Sequence, residues 1–113
     1  MLKKITLMAA IAATVAMAPD ALAATTVCTP NATIADSNHV AVRCSNATPD
    51  GTAQIFYFAV ASSSPLADRF LRLATSAVLS GKTLFITFTS GSGANPPGCG
   101  VNDCRQSGRI QLP

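Results

Sequence analysis

Residues 64–89 read SPLADRFLRLATSAVLSGKTLFITFT. The first part of this stretch has the period of a helix and the last part that of a strand. Leu66, Phe70, Leu73, Ala74, Ala77 and Val78 fall at i, i+4, i+7, i+8, i+11 and i+12, which makes one apolar stripe. Asp68, Arg69, Arg72, Thr75 and Ser76 occupy the opposite side, with Asp68 and Arg72 an i,i+4 ion pair. Ser64 is placed to cap the helix, Pro65 suits its first turn, and Asp68 lies near its positive end. Gly81 stops it as a left-handed C-cap. From Lys82 to Thr89, Leu84, Ile86 and Phe88 alternate with Thr83, Phe85 and Thr87, as a half-buried strand requires.

Upstream, Ala53–Ala61 sets Ile55, Tyr57 and Ala59 against Phe56, Phe58 and Val60. Both faces are apolar, so this strand is expected at the centre of a sheet or under a helix. Ser37–Cys44 alternates too, with Val40, Val42 and Cys44 on one face and His39, Ala41 and Arg43 on the other. Asn46–Gly51, containing Pro49-Asp50-Gly51, reads as a turn joining the two in an antiparallel hairpin. A weaker strand is expected over residues 29–35. Downstream, Ser90–Gly98 is a Gly/Ser/Pro loop, and a last strand is expected over Arg109–Leu112. The order is β-β-β-α-β-β without an internal repeat: a mainly β protein with one helix, expected to form a small OB-like barrel. The alternative is an α+β antiparallel sheet with one packed helix.

The chain has 113 residues, 49 % of them hydrophobic and 12 % charged, which bounds it to one domain. Residues 1–23 have the pattern of a cleaved secretory signal peptide, of bacterial type. Lys3 and Lys4 precede an uncharged apolar run from Ile5 to Ala18, and Ala21-Leu22-Ala23 supplies the small residues of a cleavage site. The run is shorter than the roughly 20 apolar residues of a membrane span. Residues 24–113 are then the single mature domain, with no membrane span, in the periplasm or outside the cell. Loss of Lys3, Lys4 and Asp20 leaves six basic and four acidic residues and a net charge of +2. That is too little to track a phosphate backbone, and it argues against nucleic acid as a partner.

Cys28, Cys44, Cys99 and Cys104 all lie in the mature part, an even count that implies disulfides in a small exported domain. Of the three pairings four cysteines allow, Cys28–Cys44 with Cys99–Cys104 closes two local loops and is favoured. A closed loop of about 15 residues stabilises by roughly 3 kcal/mol in the chain-entropy model, and the smaller ring by less. A zinc site would need paired short spacings, and a redox motif the Cys-x-x-Cys spacing; neither is present.

From the helix onward the chain resembles the B subunit of the subtilase-type AB5 toxins. The residues that carry the resemblance are the helix Pro65–Leu79, the turn Ser80-Gly81-Lys82, the strand Leu84-Phe85-Ile86-Thr87-Phe88, and the ring Cys99-Gly100-Val101-Asn102-Asp103-Cys104. They span about half of the mature chain. The resemblance implies export, an OB fold, a homo-oligomeric ring and binding of cell-surface glycans. No sugar-binding residue of the family maps onto this sequence, and Arg109-Ile110-Gln111-Leu112 extends past the toxin subunit's end.

The residues offer little to catalysis. His39 is the only histidine, and its place beside Asn38 at a strand start suggests an exposed or turn-side ring. Asp36 and Asp50 sit in turn contexts, Asp68 serves the helix start and Asp103 lies inside the Cys99–Cys104 ring, so each carboxylate has an ordinary structural role. No enzyme activity, metal or cofactor is expected. Arg43, Asn102, Asp103, Arg105 and Arg109, near the two staples, are the candidate exposed groups for ligand binding. The expected function is an exported, non-catalytic domain that binds a glycan or a protein partner. The alternative is a monomeric structural or accessory envelope protein acting through protein contacts, enzyme inhibition among them.

Overall fold

The computed structural model describes residues 23–113. The expected leader, apart from Ala23, lies outside the described residues. Six strands and one helix follow in order: β1 (Ala23–Cys28), β2 (Pro30–Ala35), β3 (His39–Asp50), β4 (Ala53–Ala61), α1 (Ala67–Ser80), β5 (Leu84–Thr89) and β6 (Cys104–Gln111). The strands form one sheet in the order β1-β5-β6-β4-β3-β2. All neighbours are antiparallel except β4 and β6, which run parallel through Tyr57↔Cys104, Phe58↔Arg105 and Ala59↔Gln106.

The two outermost strands of this sheet, β1 and β2, are separated in sequence by Thr29 alone. They are consecutive halves of one strand path, so the sheet curls round to a small OB-like barrel. An open α+β sheet does not fit this closure. The break is patched locally. The Thr29 amide donates to Asn46 Oδ1 at 2.8 Å, and Asn46 Nδ2 donates to the Val27 carbonyl at 2.8 Å. The Ser45 amide donates to the Thr29 carbonyl at 2.8 Å, and the Cys28–Cys44 disulfide crosses the same place.

Residues 46–50 are therefore not a turn. β3 runs on to Asp50, its register with β4 shifts between Arg43 and Thr48, and the chain reverses only at Gly51 and Thr52. The turn-forming side chain of Asn46 supplies the ladder bonds that the β1/β2 break removes. The first strand, β1, was not among the expected elements, and β6 starts at Cys104 rather than Arg109.

Val40, Val42 and Cys44 of β3 point into the barrel with Phe58, Val60, Leu84, Ile86, Phe88 and Ile110. Phe58 and Phe88 meet there with ring centroids 5.2 Å apart. Burying side chains of this size contributes about 1.5–3 kcal/mol each. In β4 the alternation changes phase: Ile55 is inside, yet so are Phe58 and Val60. The amides of Phe56 and Tyr57 both donate to the Asp103 carbonyl at 3.0 Å, an arrangement that puts one extra residue into the strand.

The helix begins at Ala67 rather than at Pro65. Ser64 Oγ accepts from the Leu66 amide at 3.1 Å in the preceding turn, and Leu66 sits at the N-cap without a side-chain bond. Gly81, at φ 70°, ends the helix with its amide donating to the Ala77 carbonyl, as its position predicts. Ala67, Phe70, Ala74 and Ala77 are buried against the barrel, mainly over β2 and β3. The Asp68–Arg72 pair forms at 2.9 Å with both side chains exposed, a geometry worth a few tenths of a kcal/mol.

Candidate functional site

The second apolar face of β4, expected to be covered by a neighbouring element, is covered by a loop. Ala41, Ala59, Cys99 and Cys104 form a small cluster outside the barrel, with Ile34 and Tyr57 packed on its edge. The Cys99–Cys104 disulfide belongs to this cluster, and Cys28–Cys44 to the main core. Both bonds match the expected pairing.

Beside the outer cluster lies a cleft of about 410 Å³ lined by Ile34, His39, Ala41, Tyr57, Gly98, Gly100, Asp103 and Cys104. Its floor is the outer face of β2, β3 and β4, and its wall is the disulfide-closed segment. Alternation along β3 puts His39 and Ala41 on this face, opposite the inward Val40 and Val42. The volume suits a small ligand or a single sugar ring. The lining combines an apolar floor with an imidazole, a phenol and a carboxylate.

His39 is 8 % exposed, not the open ring its sequence context suggests. Gly98 lies over it, so close that a Cβ on Gly98 would stand 2.9 Å from the ring's Cε1 and Nδ1. His39 Nδ1 is 3.2 Å from Asp36 Oδ1, but the ring nitrogen is not aligned for a hydrogen bond. The same Oδ1 accepts from the amides of Asn38 at 2.8 Å and His39 at 2.9 Å. Those bonds, that of His39 first and Asn38 next, hold the Asp36 carboxyl below its ordinary range.

The five sequence candidates do not form one site. Asp103 lines the cleft, and Arg43, exposed and directly across from Tyr57 in the ladder, stands at its margin. Asn102 is exposed on the loop beside Asp103. Arg109 is exposed on β6, five residues beyond Cys104 and so roughly 16 Å along the strand.

Arg105 was expected on the surface and is 5 % exposed. Its Nε donates to Asp50 Oδ2 at 2.6 Å, and its Nη1 to the carbonyls of Val101 at 2.8 Å and Cys104 at 2.7 Å. Asp50 also accepts from the Ser90 hydroxyl and, at 2.8 Å, from the Gly91 amide. The Ser90 hydroxyl, the Gly91 amide and the Arg105 guanidinium, in that order, bring the Asp50 carboxyl down to about 2. Asp50 is thus more than a turn residue: it ties the β3–β4 hairpin to the start of the cleft loop and to β6.

The lining residues that are not among the sequence's binding candidates are Ile34, Ala41, Tyr57, Gly98 and Gly100, with His39 read there as an exposed ring and Cys104 as half of a disulfide. Among the described residues no cluster of three or more His, Cys, Asp or Glu could hold a metal, and no helix is long and apolar enough to cross a membrane. The lining holds no serine, threonine or free thiol beside His39 to act as a nucleophile. No protein-family model, curated protein or solved structure matches the chain.

Proposed function

We propose that the chain is an exported, non-catalytic binding domain whose cleft takes a saccharide ring presented at a cell surface. The observation that carries this reading is the placement of the cleft. It sits on one sheet face of the barrel and is walled by the loop before the last strand, where OB barrels take oligosaccharides. Tyr57 offers a ring face to the apolar side of a sugar, while Asp103 and His39 offer partners to its hydroxyls. Two disulfides support residence in an oxidising compartment, the periplasm or the exterior. The resemblance to the B subunit of the subtilase-type AB5 toxins, over about half of the mature chain, supports export and an OB-type fold for such a domain.

A second reading has an observation of its own. The outward side of α1 carries a shallow groove of about 480 Å³ between Asp68, Leu71, Arg72, Thr75, Ser76 and Leu79, and Leu79 is 82 % exposed. Such a surface favours a protein contact, as an accessory envelope protein would make. Screening the exported full chain on a glycan array, with light scattering for its oligomeric state, separates the two. Retention on glycans that is lost in Tyr57→Ala and Asp103→Asn supports the saccharide cleft. A monomer that retains no glycan overturns it in favour of the protein-contact reading.

A further inference from the structure

We propose that the Cys99–Cys104 disulfide is a latch on the cleft, opened by a dithiol reductant while Cys28–Cys44 stays closed. The inference concerns regulation of the cleft and rests on the binding reading above. Its test needs no ligand, so failure of the latch and failure of binding are separate results.

The two disulfides sit in different surroundings. Cys28 and Cys44 are 0 % and 1 % exposed within the main core, whereas Cys99 and Cys104 are 8 % and 3 % exposed in the outer cluster. Cys104 also lines the cleft, the side from which a small thiolate would approach the disulfide. The reductant's first thiolate attacks Cys104 Sγ, the S–S bond breaks, and Cys99 leaves as a thiolate that takes a proton. The reductant's second thiolate then breaks the mixed disulfide and frees Cys104 as a thiol. Two electrons pass to the chain and the dithiol ends as a disulfide.

What is released follows from the bonds that remain. The Asp103 end stays in place, because its carbonyl still accepts from the amides of Phe56 and Tyr57. The Gly98–Cys99 end keeps a 3.4 Å bond from Asn95 Nδ2 to the Cys99 carbonyl and a local bond from the Cys99 amide to Pro96, with flanking ties from Asn95 Nδ2 to the Cys104 carbonyl at 2.9 Å and from the Cys104 amide to the Gly100 carbonyl at 3.0 Å. Gly98 is the residue lying on His39. Reduction therefore removes the covalent tie of the Gly98 wall and loosens it over the imidazole, while the Asp103 wall stays standing. A ligand filling the cleft would in turn shield Cys104 from the reductant.

The chain carries its own reporters, since His39 is its only histidine and Tyr57 its only tyrosine. The exported full chain is titrated with dithiothreitol and, in a separate arm, with a reduced thioredoxin-fold protein, and free thiols are alkylated and located by mass spectrometry. Cys99 and Cys104 are expected to be labelled at a rate on the order of tenfold above Cys28 and Cys44. His39 carbethoxylation is expected to rise roughly tenfold in the reduced protein and in Cys99→Ser/Cys104→Ser, which keeps the latch open without any reductant. Selective labelling by dithiothreitol alone identifies a small dithiol as the reductant, and labelling in both arms admits a protein donor. Simultaneous reduction of both bonds, or reduction of Cys28–Cys44 first, overturns the proposal. So does an unchanged His39 rate in the double serine variant with Tyr57 fluorescence at its oxidised value.

Discussion

Gly98 occupies the space directly over the His39 imidazole, with φ +90° and room for no side chain. The only histidine of the chain is thereby fixed by a residue 59 positions away in sequence, across the mouth of the cleft. A side chain at position 98 must both adopt a left-handed backbone and displace the ring. Gly98→Ala is expected to cost about 1–3 kcal/mol in denaturant unfolding and to shift the His39 Cε1–H resonance. If His39→Ala in the same chain recovers none of that loss, a clash with the ring is not its cause.

The Asp50–Arg105 pair is nearly enclosed, with side chains 10 % and 6 % exposed. Removing one partner leaves the other charge buried and uncompensated. Asp50→Ala is expected to destabilise the fold by about 3 kcal/mol, and Asp50→Ala with Arg105→Met by less than that single change. A double variant as unstable as the sum of the two singles would show that the residues act independently.

Acid sensitivity follows from the same carboxylate. Its folded pKa, about 2, lies below the ordinary 3.8, so the native state is favoured by the ionised form. The contribution is complete above pH 3.8 and is lost as the pH falls through about 2. The shift corresponds to on the order of 2 kcal/mol. Stability measured from pH 5 to 2 should fall in the native sequence and fall less steeply in Asp50→Asn; parallel curves would exclude Asp50 as the source.

Phe58 is fully buried and meets Phe88 inside the barrel. Truncation removes most of the ring's packing in a core shared by the strands and α1. Phe58→Ala is expected to cost about 3–5 kcal/mol in chemical denaturation, with a value under 1 kcal/mol indicating that the barrel interior collapses around the void.

The two disulfides should differ in their effect on stability. Cys28→Ser/Cys44→Ser opens the longer loop and leaves two polar groups in the main core, for an expected loss of about 3 kcal/mol or more. Cys99→Ser/Cys104→Ser opens a short ring in the outer cluster and should cost about 2 kcal/mol. Thermal melts of the pair of variants give the order directly, and the reverse order contradicts the assignment of the core role to Cys28–Cys44.

Much of this fold is legible in local sequence, and the reasons are physical. Leu84, Ile86 and Phe88 alternate because one face of β5 is inside the barrel, and Phe70, Ala74 and Ala77 recur because one face of α1 lies against it. Both disulfides follow from loop length. Local pattern misleads where a residue's partner is remote. Asn46 has the chemistry of a turn former, yet its amide group serves a strand break at Thr29. Residues 23–28 escape notice because they adjoin the leader and have little alternation, and Gln106, Ser107 and Gly108 dilute the pattern of β6.

The candidate site is less legible than the fold. Arg105 is polar and looks like surface, but Asp50, 55 positions away, holds it inside. That encounter depends on the parallel pairing of β4 with β6, which no local pattern announces. His39 and Ala41 could be assigned to one face of β3 by alternation, but what covers that face is the loop ending in Gly98 and Cys99. Asp103 alone among the five candidate residues lines the cleft itself.

The single strand path that is broken at Thr29 acts as the seam of the barrel, since its two halves pair with β5 on one side and β3 on the other. A chain shortened past Cys28 would keep β2 on β3 but strip the partner from β5, leaving the alternating row Leu84, Ile86 and Phe88 on an open border. Unpaired borders of that kind recruit strands from neighbouring molecules. The first six described residues therefore matter beyond stability: they cover an edge that would otherwise be open to strand exchange.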